Sequence, residues 1–109
     1  MGLFDRFRGT GKRNTGDLKY LRDWVGTHHG VEAFIEPKTT VTDVTAVLIA
    51  SDGEWTRRSV GEAGAQRLSS QLKIPVYDVQ KVGYPQRMRD FDARRRIERK
   101  RAMRRELES

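Results

Sequence analysis

Between Arg94 and Arg105 the chain reads RRRIERKRAMRR. Eight of these twelve positions are basic, and seven of the eight are arginine: Arg94, Arg95, Arg96, Arg99, Lys100, Arg101, Arg104 and Arg105. A guanidinium is a planar fork of donors that fits phosphate and stacks on exposed bases, which an ammonium does not copy. The run therefore points to electrostatic capture of a phosphate polymer and not to bond-making chemistry. The competing reading is a solvated helix laced by ion pairs four residues apart, Asp90/Arg94, Asp92/Arg96 and Arg94/Glu98.

The rest of the charge supports the first reading. Residues 86–109 hold ten basic against five acidic side chains, and residues 1–15 hold Arg6, Arg8, Lys12 and Arg13 against Asp5. The middle, 16–85, has eight basic and nine acidic residues, so nearly all of the net +7 sits at the two ends. Basic arms raise local attraction to a polyanion while a near-neutral body supplies shape. Lys12 and Arg13 in the N-terminal arm join the C-terminal cations as candidate nucleic-acid contacts.

No catalytic or metal-binding residues are assigned. The chain has no cysteine, which removes disulfides, thiolate ligands and cysteine nucleophiles, and fits a reducing cytoplasm. His28-His29 are the two histidines. Adjacent helical residues point about 100° apart, and no Cys or second His pair stands near enough in sequence to complete a metal shell. They read as structural, at the negative end of a helix dipole. Gly61-Glu62-Ala63-Gly64 opens a helix, where amides could hold phosphate. Glu62 repels an anion there, and the segment reads as a turn. No cofactor is expected.

The elements that position these residues follow from periodicity. Gly9–Gly16 is a polar, glycine-rich linker. Asp17 caps a first helix running to His29, with Leu18, Leu21, Trp24 and Val25 on one face and Gly30 as its stop. Strands are predicted at Val31–Glu36, Val44–Ala50 and Glu54–Val60, the last two joined by an Asp52-Gly53 hairpin. VTAVLIA is a near-continuous apolar run and hence the buried central strand. A second helix covers Glu62–Leu72, with Ala65, Leu68 and Leu72 inward. A fourth strand is predicted over Ile74–Val82. Pro85 then starts a final helix, Gln86–Leu107, fastened to the body by Met88 and Phe91 and projecting beyond Ala93.

Length sets the scale. About 70 residues between the arms bury only about 60% of their unfolded surface, which leaves a small core and little room for an enclosed active site. No apolar run nears the ~18 residues of a membrane span, and the N-terminus reads as lacking a signal peptide's apolar core. MGLFDRFR could press Phe4 and Phe7 weakly onto a membrane surface. Arg6 stands where the myristoylation pattern needs Ser or Thr.

From Asp17 to Leu72 the order helix, three antiparallel strands, helix resembles the double-stranded-RNA-binding domain in topology, over about half the chain. The lysines that family carries at the start of its second helix are replaced here by Gly61-Glu62-Ala63-Gly64-Ala65-Gln66-Arg67, so no contact residues carry over. The whole chain also resembles small basic proteins of Arg-rich, actinobacterial proteomes. Metal-dependent nucleases of α-β-β-β-α-β plan place an acid on the second strand and acid-x-Lys on the third. Asp43 precedes an apolar second strand, and Glu54-Trp55-Thr56 has threonine in place of lysine, so the nuclease pattern is incomplete.

The expected fold is a single small α+β domain of order α-β-β-β-α-β, with a three- or four-stranded mostly antiparallel sheet, helices on one face and a long Arg-rich C-terminal helix. The chain divides into a basic arm, 1–16, a domain, 17–85, and the helix, 86–109. The expected function is non-enzymatic binding to structured RNA by a ribosome-associated or RNA-processing accessory protein. DNA is a further candidate partner. The alternatives are a degenerate nuclease-like fold and a membrane or protein-complex adaptor that uses both arms.

Overall fold

The structure, a computed structural model, describes residues 17–108. The N-terminal arm with Phe4, Phe7, Lys12 and Arg13 lies outside them. Helix α1 spans 17–26 and is followed by β1 (Glu32–Glu36), β2 (Thr45–Ile49), β3 (Trp55–Ser59), α2 (Gly61–Leu72), β4 (Val76–Asp78), the one-turn helix α3 (Val79–Val82) and α4 (Gln86–Glu108). The sheet order is β3-β2-β1-β4. β2 pairs antiparallel with both β1 and β3, whereas β4 runs parallel to β1. The α+β class, the order of elements and the long C-terminal helix are as the sequence predicts.

The apolar run in β2 has a two-sided cause. Its Ala46 and Leu48 join Leu21, Val31, Ala33, Val60, Leu68 and Leu72 in a core beneath α1 and α2. The intervening Val47 and Ile49 point the other way and pack with Phe34 and Met88. Successive strand residues face opposite sides, so a strand covered on both faces must be apolar throughout. The expectation of helices on one face is thus corrected. The start of α4 closes the second face of the sheet and makes Met88 part of the core, only 8% exposed.

Two boundaries differ for local chemical reasons. The first helix stops at Gly26 instead of His29. There the Thr27 hydroxyl donates to the Trp24 carbonyl at 3.0 Å, and His28 Nδ1 lies 2.7 Å from the same oxygen. Side chains thereby serve a carbonyl that would otherwise want a further turn. The fourth strand keeps three residues, Val76–Asp78. Asp78 Oδ1 accepts from the Gln80 amide at 2.9 Å, and this N-cap turns the predicted strand end into α3.

Candidate nucleic-acid interface

The cations in α4 are held out from the body by a short, well-tied base. Arg87 donates to the Ala50 carbonyl at 2.9 Å and pairs with Glu32 at 2.6 Å. Gly53, in the β2–β3 turn, lies against the same stretch. Its φ is +94°, and a Cβ built there would stand 2.1 Å from the Arg87 carbonyl oxygen and 2.8 Å from Phe91 Cβ. The glycine therefore supplies both a left-handed turn and the space that lets α4 approach. Trp55 Nε1 donates to Asp92 Oδ1 at 2.8 Å, and Arg94 donates to the Asp52 carbonyl at 2.9 Å. Asp92 and Arg94, assigned from sequence to intrahelical ion pairs, are engaged with the body instead.

Beyond Arg94 the helix leaves the fold. Every residue from Arg94 to Glu108 is exposed. The fourteen residues 95–108 extend about 21 Å at 1.5 Å per residue. The molecule's extents of 60 × 30 × 28 Å record that projection. Arg94, Arg95, Arg96, Arg99, Lys100, Arg101, Arg104 and Arg105 all lie on α4, as expected. At about 100° per residue they surround the axis, and no gap between neighbouring basic directions exceeds about 80°. Ile97, Met103 and Leu107, 49%, 63% and 86% exposed, are scattered among them without forming a stripe. The helix is a cationic rod and not an amphipathic one.

Near its root the rod and the sheet border an open cleft of ≈ 430 Å³, lined by Trp55, Phe91, Asp92, Arg95, Arg96 and Arg99. Trp55 is half-buried there, fixed on one side by Asp92 and lying under the Arg57 guanidinium, which is 5.3 Å from its ring centroid. Arg57 is itself held by Glu36, with Nε to Oε1 and Nη2 to Oε2 both at 3.0 Å. Glu36 also accepts from the Tyr84 hydroxyl.

The carboxylates weighed for a nuclease site are not brought together. Asp43 lies just before β2, where it accepts from the Val44 amide at 2.7 Å. Glu54 lies beside Ala50 at the opposite end of that strand, bonded to His28 Nε2 at 2.9 Å. Seven residues of extended chain set them about 20 Å apart. His28 stacks on Trp24 with ring centroids 3.7 Å apart, beyond the end of α1 and not in its last turn. At the α2 N-terminus the Gly61 amide donates to the Val44 carbonyl at 3.0 Å, so that donor is already used within the fold.

Sequence reasoning missed Trp55, Arg87 and Asp92 as parts of this region. Trp55 carries a signal, since alternation along a strand over Glu54–Val60 sets it on the face opposite Thr56. Its partner, 37 positions away, carried none. Compared with known proteins, the chain matches no family model, no curated protein and no solved structure.

Proposed function

We propose that the protein binds structured RNA without catalysing a reaction, as a ribosome-associated or RNA-processing accessory protein of the cytoplasm, and that α4 supplies the phosphate contacts. The observation that carries this reading is a helix standing clear of its domain with arginine on all sides. A flat anionic surface, such as a membrane, meets one face of a helix and leaves the others unused. Phosphates that lie on several sides of the helix, as in the grooves and junctions of folded RNA, use them all. Among the described residues no helix is long and apolar enough to cross a membrane.

The test compares the full chain with one ending at Ala93 in fluorescence anisotropy on a structured RNA at physiological salt. Loss of the rod removes up to eight cations, so affinity is expected to fall at least ~100-fold. Equal affinity of the two chains would overturn the reading.

A further inference from the structure

We infer that the cleft between Trp55 and the root of the projecting helix is a pocket for one unpaired nucleotide, with the base against the indole and the flanking phosphates on Arg95, Arg96 and Arg99. The inference rests on the RNA reading and goes beyond it, because phosphate attraction alone does not distinguish paired from unpaired RNA.

Three observations lead to it. The cleft's ≈ 430 Å³ falls within the range of small-ligand sites, roughly 300–1,000 Å³, and its walls combine aromatic and cationic side chains. Trp55 is oriented in advance. Its N–H is taken by Asp92 at 2.8 Å, and part of the ring is covered by Arg57 and by the core, so what the indole has left to offer the cleft is the rest of its π surface and not a donor. Arg95 and Arg99 are four apart and share a helix face, with Arg96 beside them, so three arginines border the cleft together with the aromatic side chains of Trp55 and Phe91.

Charge decides the class of occupant. Three arginines against Asp92 leave the site cationic, which suits a phosphodiester on either side of a stacked base. An apolar side chain or lipid tail would desolvate those guanidiniums without a partner. A nucleotide within a regular A-form duplex cannot reach the ring, because both of its base faces are already stacked. A bulged or looped nucleotide can, and aromatic platforms accept such bases with little regard to identity.

The test uses the full chain carrying Trp24→Phe, which leaves Trp55 as the sole tryptophan. Three RNA hairpins are titrated: one fully paired, one with a single bulged adenosine, and one with an abasic bulge that keeps the phosphates. The bulged adenosine is expected to quench Trp55 and to bind about tenfold tighter than the other two. Replacing Arg95, Arg96 and Arg99 together by Gln should abolish that preference. Equal affinity and no quenching across all three hairpins would overturn the pocket and leave RNA binding by the rod intact. Equal quenching by inorganic polyphosphate would also overturn it, in favour of a phosphate-only site. Failure to bind any hairpin would overturn both readings. The comparison between hairpins needs no change at Trp55, so it does not depend on a variant that might fold poorly.

Discussion

The indole N–H of Trp55, on the edge strand, donates to the carboxylate of Asp92, in the second turn of the last helix, at 2.8 Å. This bond is one of those that join the sheet to the cationic rod. A part-buried hydrogen bond to a charged acceptor contributes about 1.5–3 kcal/mol. Asp92→Ala should lower stability by about that amount in urea denaturation. Asp90→Ala, which removes an exposed bond from Gln86 at 3.1 Å, should change it by less than about 0.5 kcal/mol. Equal effects would mean that Asp92 is not the tie.

Gly53 and Gly26 should respond to alanine with opposite signs. At Gly53 a Cβ meets the Arg87 carbonyl carbon at 2.8 Å in a backbone with φ +94°, so Gly53→Ala is expected to cost about 1–3 kcal/mol and to loosen α4. Around Gly26 nothing stands within 4 Å of a Cβ, and helical alanine is favoured over glycine by up to about 1 kcal/mol. Thermal melts of the two variants check this. A neutral Gly53→Ala would show that α4 does not sit against the turn.

The β-strands were legible where burial dictates pattern. Val44–Ala50 could be placed from its apolar run, and Asp52-Gly53 marked the turn that follows. Burial of the strand and docking of Met88 are legible, but the face that Met88 covers is not, since nothing near β2 announces it. The fourth strand was overextended because Val79 and Val82 suit a strand as well as a helix, and the capping bond from Asp78 decides between them. The cations of α4 could be named one by one from composition. The cleft beside them could not, because it needs Trp55 and Asp92 brought together from 37 positions apart.

Cutting the chain at two places separates the helix that packs from the helix that projects. A chain ending at Ala93 keeps Met88, Arg87 and Asp92, and should melt cooperatively within a few degrees of the full chain, since the residues removed are exposed. A chain ending at Pro85 loses the buried Met88 side chain and the bonds of Arg87. It should be less stable by about 2–5 kcal/mol or fail to fold. Similar melting of the two shortened chains would contradict the packing described.

Tyr77 stacks on Phe34 at 5.4 Å between ring centroids, and its phenol is held above the ordinary value of 10.0. The largest cause is its hydrogen bond to Glu32. The charge of Glu32 and partial desolvation add to the rise, and Arg87 opposes it. The folded state thus favours the neutral phenol. The stability this contributes is full below pH ~10 and is lost as pH rises through the higher folded value. Tyrosinate absorbance should show Tyr77 titrating late. Glu32→Gln should bring that midpoint down, and Tyr77→Phe should remove it. A late component undiminished by Tyr77→Phe would assign the effect elsewhere.

The salt dependence of RNA affinity tests the central claim most directly. Each phosphate neutralised on a duplex adds about 0.9 to the slope of log K against log salt, and about 0.7 on a single strand. Replacing Arg94, Arg95, Arg96, Arg99 and Arg101 together by Gln should make the slope shallower by about 3–5 units and weaken binding at low salt. Thermal melting should stay close to that of the unaltered chain, since among the described residues Arg94 alone of the five donates to the body. A slope unchanged by the five substitutions, in a protein that still binds RNA, would contradict the assignment of the contacts to α4.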